Sequence, residues 1–259
     1  MLKLSTHNGI FHADEVTAIA LLKIFKTPTI KITRVPHSTK DFNIFDMVID
    51  ISKKFDGKKF FDHHQYKGGK SSAGLIWEYL GVEKEYEDIS KLIDMVDKQD
   101  TGIKKAKPFE YPNLIKCFNT QEIYSTQQDE AFLRAVEFAM VTLNSLKRVQ
   151  EEKQKAKEIV KNSFLFNNNP NILELESFTA YWQTSVSESM PHIKAVVWKD
   201  EEQNNYKIKT VSKKDIFLPQ NIKMEFVHSA GFFAVAKDEA SMVKYVDKIK
   251  DFKNGKSFD

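Results

Sequence analysis

A chain of 259 residues that is 41% apolar can bury a sizeable core and has room for one large or two modest domains. Its formal charge of +3 suits a polyanionic substrate but falls far short of the excess carried by proteins that coat nucleic acid. A single cysteine, Cys117, excludes an internal disulfide and a four-cysteine zinc site; it is expected as a buried, inert thiol in a reducing compartment. No apolar run nears the roughly 18 residues of a membrane span, and the amino terminus enters a strand-like pattern without signal-peptide anatomy. A soluble, cytoplasmic protein with no membrane partner is therefore expected.

In chain order, Leu2 to Thr6 reads as a strand, Glu15 to Phe25 as a helix, and Ile30 to Val35, Met47 to Ile51 and Lys59 to Phe61 as further strands. Such alternation predicts an α/β domain built on a largely parallel sheet. Helices follow at Ala73 to Leu80 and Tyr86 to about Val96, separated by Gly81, a natural helix stop. The first domain closes near Phe118 and is assigned residues 1–125. From Thr126 to Lys161 apolar residues recur at three- and four-residue steps (Phe132, Ala135, Phe138, Ala139, Leu143, Leu146) and give way to a charged run. This predicts a connecting helix, residues 126–163. After the Asn167-Asn168-Asn169-Pro170 break, strands are expected at Ile172 to Leu175, Lys194 to Trp198, Tyr206 to Val211, Met224 to Val227 and Phe232 to Ala236, with a closing helix at Asp238 to Ile249. Residues 164–259 then form a smaller α+β domain.

Seven histidines occur in the chain, and His7, His12, His63 and His64 fall in two short stretches, each beside an aspartate and each after a strand-like run. Imidazole and carboxylate together suit divalent ions such as Mn2+, Zn2+ or Fe2+. Ligands of a parallel α/β sheet gather beyond the carboxyl ends of the strands. His7 follows the first strand, Asp50 ends the Met47 to Ile51 strand, and Asp62-His63-His64 follows Lys59 to Phe61. A lone histidine is more often a hydrogen-bonded surface or core residue, and Asp14 at a helix start is more often an N-cap; together His7, His12 and Asp14 favour metal. Asp50, flanked by Val48 and Ile49, is expected at a buried strand end, where an unpaired carboxylate is costly and a metal would neutralise it. A further carboxylate is to be sought among Asp94, Asp97 and Asp100, which spacing alone leaves open. Ser71 and Ser72, opening a helix after Gly68-Gly69, offer hydroxyls and free N–H groups to a phosphate, or serve simply as a cap.

The stretches Thr6-His7-Asn8-Gly9-Ile10-Phe11-His12-Ala13-Asp14-Glu15, Asp62-His63-His64-Gln65 and Ser71-Ser72-Ala73-Gly74-Leu75-Ile76-Trp77 resemble the signature of the melanocyte-proliferating-gene exonuclease family, a branch of the DHH phosphoesterase superfamily. The resemblance continues through Val96 to Gly102 and the Thr126 to Lys153 helix to Phe226-Val227-His228-Ser229-Ala230-Gly231-Phe232. It implies a DHH-type catalytic domain, a smaller substrate-binding domain, and a pair of divalent ions, Mn2+ first and Mg2+, Zn2+ or Fe2+ as alternatives. Carried over by position, His7 and His12 hold one ion, Asp14, His63 and Asp100 the other, and Asp50 bridges them. The resemblance gives His64 to the scissile phosphate, Asp62 to the support of a neighbouring histidine, and His228, Ser229 and Gly231 to a phosphate grip in the second domain. Two departures stand out. Phe233-Ala234-Val235-Ala236-Lys237 replaces a continuation rich in glycine and histidine, and Ser52-Lys53 follows Asp50 where Gly-Gly is common.

The activity expected is 3′–5′ exonuclease or oligonucleotide phosphodiesterase action on RNA or short oligonucleotides through a metal-activated water. The rivals are a small-molecule phosphatase or pyrophosphatase with the same core, and a non-catalytic metal- and RNA-binding module. Lys53, Lys54, Lys58, Lys59, Lys67 and Lys70 are each expected as ordinary solvated lysines, with guidance of a phosphate backbone as the alternative. A homodimer is left open.

Overall fold

In this computed structural model, which describes residues 1–65, 68–212 and 218–249, the amino-terminal strands form one parallel sheet. β1 (Leu2–His7), β2 (Ile30–Val35), β3 (Met47–Ile49) and β4 (Phe60–Phe61) lie in the order β2-β1-β3-β4. Every neighbouring pair is parallel, as alternating strand and helix signals require. Helix α1 (Ala13–Phe25) returns the chain from β1 to β2 and is buried continuously from Ala13 to Leu22. It packs with Leu4, Met47, Ile49 and Phe61 of the sheet and also meets α2 (Ser72–Leu80), α3 (Glu87–Asp100) and α4 (Tyr111–Lys116). A helix covered on all sides shows little amphipathic contrast.

Several boundaries move, for local reasons. β3 stops at Ile49 because Asp50 takes φ 56°, a left-handed conformation that cannot continue a strand. α3 runs a turn past Val96, so Asp94, Asp97 and Asp100 are all helical. α4 was not foreseen, being only six residues long. The expectation of a buried cysteine does not hold: Cys117 is exposed. It caps the carboxyl end of α4, whose buried residues are Tyr111, Pro112 and Ile115.

The long helix α5 (Thr126–Asn162) agrees with the expected span to within a residue. Phe132, Ala135, Ala139 and Leu143 enter the first core, and Val160 enters a core of the second half. Two compact units, Met1–Gln150 and Glu151–Asp259, divide inside this helix. The second unit carries a six-stranded sheet in the order β5-β6-β7-β8-β10-β9, formed by β5 (Phe164–Leu165), β6 (Ile172–Leu175), β7 (Ala195–Asp200), β8 (Asn205–Thr210), β9 (Phe226–Val227) and β10 (Phe233–Ala236). β6 and β7 are parallel and the other pairs antiparallel, so the sheet is mixed. Alternate residues serve two cores. Ala195, Val197, Ile208 and Ala234 pack with α7 (Glu239–Val246), while Leu173, Val196 and Trp198 pack with α6 (Trp182–Ser189). Among the described residues no helix is long and apolar enough to cross a membrane.

Candidate metal centre

Parallel neighbours place their carboxyl ends along one edge of a sheet. His7 is the last residue of β1, Asp50 follows β3, and Asp62-His63-His64 follows β4, so three adjacent strands deliver these side chains to one place. Helix α1 adds two more from its amino end. His12 is its N-cap, and the His12 N–H donates to both oxygens of Glu15 at 2.9 and 3.0 Å. Asp14 therefore lies within the first turn and does not cap the helix. Asp100 arrives from the end of α3.

The polar atoms converge closely. His7 Nδ1 donates to the Asn8 carbonyl at 2.9 Å, which fixes the ring and leaves Nε2 turned toward the carboxylates. That Nε2 lies 3.1 Å from Glu15 Oε1 and 3.4 Å from Asp50 Oδ2. His63 Nε2 lies 2.7 Å from Asp100 Oδ2, 3.7 Å from Asp50 Oδ1 and 3.9 Å from Asp14 Oδ2. One ligand atom from each of His7, His12, Glu15 and Asp50 falls within 4.8 Å of the others, as do those of Asp50, His63 and His64, and those of His12, Asp14 and Asp100. Asp50 and His12 each belong to two of these groups. Both oxygens of Asp14, Nε2 of His63 and Oδ2 of Asp100 are buried and lack any partner in hydrogen-bonding geometry. Such orphaned atoms are rare in folded proteins, and a role in holding a cation is one of the recognised reasons for them.

The electrostatics tell the same story. Burial, then the like charges of Asp50, Asp100 and Glu15, push the Asp14 carboxyl well above the usual carboxylate range. Burial opposes protonation of His7, but the hydrogen-bonded carboxylates of Asp50 and Glu15 outweigh it and carry the imidazole up to about 11. His64 rises to about 10 through Asp50 and Asp62. Burial of His63 is likewise overcome by Asp100. Burial would raise Asp50, yet His64 and His7 hold it below the ordinary range. Protons thus stand between closely packed carboxylates, and a divalent cation would displace them. Asp50 keeps its position at the cost of a left-handed backbone, the kind of local strain that concentrates at functional sites.

The remaining residues support this core. Asp62 accepts from the backbone N–H of Lys53 at 2.7 Å and of His64 at 2.9 Å, and its Oδ1 lies 2.8 Å from His64 Nδ1. It therefore orients His64, whose side chain is 52% exposed. Ser72 Oγ donates to Asp50 Oδ1 at 3.1 Å. Ser71 donates through both N and Oγ to Asp97, at 2.9 and 2.6 Å. Both serines are fully buried, so their hydroxyls face carboxylates of the protein, and the anion resting at the amino end of α2 is Asp97. A Cβ on Gly74 would fall well inside contact distance of the Asp97 carboxylate, which explains the glycine. Asp97 is thereby committed to α2, whereas Asp100, one turn on, meets His63.

Glu15 was overlooked in the sequence, although its spacing from His12 is that of a capping box. Long-range contacts add two further residues. His37 stacks on His7 with ring centroids 4.7 Å apart. Arg34 donates through Nε to the His7 carbonyl at 3.2 Å and through Nη2 to the Gly9 carbonyl at 2.7 Å. Of the lysines weighed above as phosphate guides, Lys70 pairs with Glu78, Lys54 and Lys59 lie over the Phe60 ring, and Lys67 falls outside the described residues. The centre opens into a cleft of ≈330 Å³ bordered by His7, His12, Asp50, His64, Gly9 and Tyr124, among others.

In the second unit, His228, Ser229 and Gly231 form the turn joining β9 to β10. The Gly231 N–H donates to the His228 carbonyl at 2.7 Å, and the Ala230 N–H to His228 Nδ1 at 3.0 Å. Gly231 takes φ 59°, which suits a glycine. The His228 ring packs 4.2 Å from Phe232.

A family model described as an uncharacterised protein family (UPF0160), MYG1_exonuc, matches residues 3–221. The MYG1 protein of Chlamydia muridarum is 36% identical over 168 residues, which is 60% of this chain and 57% of that one. A MYG1 protein of Saccharomyces cerevisiae is 32% identical over 133 residues, covering 40% of this chain and 38% of its own. The human MYG1 exonuclease is 31% identical over 137 residues, with shares of 39% and 36%. The chain thus spans a little over half of the bacterial relative and well under half of the two eukaryotic ones.

Proposed function

The chain belongs to the MYG1, or melanocyte-proliferating-gene, family, and from that premise we propose that it is a metal-dependent phosphodiesterase of the DHH type. The reading is a 3′–5′ exonuclease acting on RNA or short oligonucleotides. The observation that carries it is the convergence of His7, His12, Asp14, Asp50, His63 and Asp100 around buried carboxylate and imidazole atoms that have no hydrogen-bond partner. The residues fit divalent cations in number, in chemistry and in their orphaned atoms. Mixed nitrogen and carboxylate donors without thiolate suit Mn2+ or a similar ion.

In this reading His7 and His12 would hold one ion, Asp14, His63 and Asp100 the other, and Asp50 would serve both, with Glu15 beside His7. Ions bound there supply Lewis-acid charge and lower the pKa of a bound water. The protein does the rest by position. Ser72 holds Asp50, the Asn8 carbonyl holds the His7 ring, and Asp62 turns His64 so that its Nε2 can meet a nonbridging phosphate oxygen or the leaving group. His228, Ser229 and Gly231 are proposed to contribute phosphate contacts from the carboxy-terminal domain, residues 164–259, with residues 1–125 as the catalytic domain and 126–163 as the connecting helix. A reducing, cytoplasmic setting suits the exposed Cys117 thiol.

The test is hydrolysis of end-labelled RNA, DNA and dinucleotides with and without added manganese. Manganese-dependent release of mononucleotides from the 3′ end, abolished by Asp50→Ala, is expected. Failure of the wild-type protein to cleave any phosphodiester refutes the proposal. Phosphate release from pyrophosphate or nucleoside phosphates, with oligonucleotides intact, would replace it by the phosphatase reading.

A further inference from the structure

Beside the His and Asp cluster the same cleft has a different kind of wall. Tyr124 is 74% exposed and Ile10 is 47% exposed, and both border the cleft together with Asp50 and His64. Apolar and aromatic side chains beside a few convergent polar groups are the make-up of a ligand pocket. Gly9 sits beneath the tyrosine at φ 92°, and a Cβ there would come within 3.2 Å of Tyr124 Cε1. The absence of a side chain at residue 9 therefore lets the ring come close to the β1–α1 loop.

A buried polar network holds the two loops in register. The Gly9 carbonyl accepts from Gln128 Nε2 at 2.9 Å and from Arg34 Nη2 at 2.7 Å. Phe11 N donates to Asn119 Oδ1 at 3.0 Å, and Asn119 Nδ2 donates back to the Phe11 carbonyl at 2.9 Å. Gln128 is fully buried, and its Oε1 accepts from Thr120 N at 2.7 Å. Fully satisfied buried networks rigidify what they connect. The segment carrying Tyr124 is thus tied at both sides to the loop that carries the ligand histidines.

Resting on the proposed phosphodiesterase reading, we infer that Tyr124, backed by Gly9 and flanked by Ile10, is the stacking platform for the base of the nucleotide whose phosphate lies at the metal centre. A cleft of ≈330 Å³, at the small end of the ~300–1,000 Å³ range of ligand pockets, suits a single nucleotide. Its lining combines the two things a nucleotide calls for, charged groups such as Asp50 and His64 and apolar or aromatic ones such as Ile10 and Tyr124. Stacking on an aromatic ring tolerates any base, so the platform makes the enzyme selective for nucleotides over other phosphate esters without making it sequence-specific.

The test compares binding of AMP and of ribose 5-phosphate, which share the phosphate and sugar, by calorimetry on the manganese-loaded full chain. Wild-type protein is expected to bind AMP roughly tenfold more tightly, in line with the usual worth of one base–aromatic stack. Tyr124→Ala should erase that preference while leaving ribose 5-phosphate affinity unchanged, and Tyr124→Phe should retain it. Equal affinity of the wild type for the two ligands, a parallel loss for both in Tyr124→Ala, or a preference surviving that substitution overturns the inference. A base preference in a protein that cleaves no phosphodiester would overturn the proposed activity alone. Phosphodiester cleavage without base preference would overturn only the platform.

Discussion

Replacing Asp14 by asparagine is expected to stabilise the metal-free protein while weakening its hold on divalent cations. Asp14 is fully buried, neither oxygen has a hydrogen-bond partner, and Asp50, Asp100 and Glu15 surround it with like charge. The folded carboxyl must either carry charge among those carboxylates or take up a proton, whereas an amide of the same size needs neither and can donate to them, and a hydrogen bond to a charged group is worth about 1.5–3 kcal/mol. A gain of about 2 kcal/mol in a melting unit of the size of Met1–Gln150 corresponds to about 4–8 °C in Tm. With metal present the balance reverses. Each ion at 100 times its Kd contributes about 2.7 kcal/mol to the wild type, and the variant forfeits the share of the ion that Asp14 holds. Thermal melts of both proteins in chelator and in excess MnCl2 provide the assay. A variant that melts lower than the wild type in chelator, or one that keeps the full manganese-induced rise, would refute the argument that Asp14 is a ligand awaiting a cation.

Stability of the metal-free protein should also depend on pH in a definite direction. The raised values of His7 (about 11) and His64 (about 10) mean that the folded state binds protons the unfolded state has released, so their stabilisation is complete below about 6.5 and is lost as pH climbs toward 10–11. Raised Asp14 acts in the same sense from lower pH, whereas lowered Asp50 and Asp62 withdraw stability only in acid. Denaturant midpoints in chelator should therefore fall between pH 7 and 10, and manganese should flatten the decline; a rise with pH would contradict the charge arrangement. Asp62→Asn should lower turnover by roughly 10–100-fold, as for loss of a supporting hydrogen bond, with metal content unchanged by elemental analysis; metal loss in step with activity would make Asp62 a ligand. Gly74→Ala should destabilise by about 1–3 kcal/mol through overpacking against Asp97, and a neutral urea titration would show that Asp97 does not sit on α2.

Much of the centre was legible because its residues follow strands. A short strand-like run ending in His7, another ending at Asp50 and a third ending at Asp62-His63-His64 become neighbours once the sheet is parallel. The long helix declared itself by its three- and four-residue apolar period. Other elements carried no such mark. In α6 only Trp182, Ser185 and Val186 are buried, so an eight-residue helix rich in serine reads as a loop.

What the sequence by itself determined is the inventory and its order: imidazoles and carboxylates, without thiolates, at the carboxyl ends of predicted strands. Strand and helix periods are local properties, so they survive in one dimension. The tertiary structure alone gives different partners to Asp97 and Asp100, which lie three residues apart on α3 and look alike in spacing. One turns to the amino end of α2 and is held by Ser71, and the other meets His63. It also assigned the hydroxyls of Ser71 and Ser72 to carboxylates of the protein, and it brought Arg34, Gln128 and Tyr124 to the loop after β1. These are contacts across 22 to 119 positions of chain; packing makes them, and no local pattern encodes them.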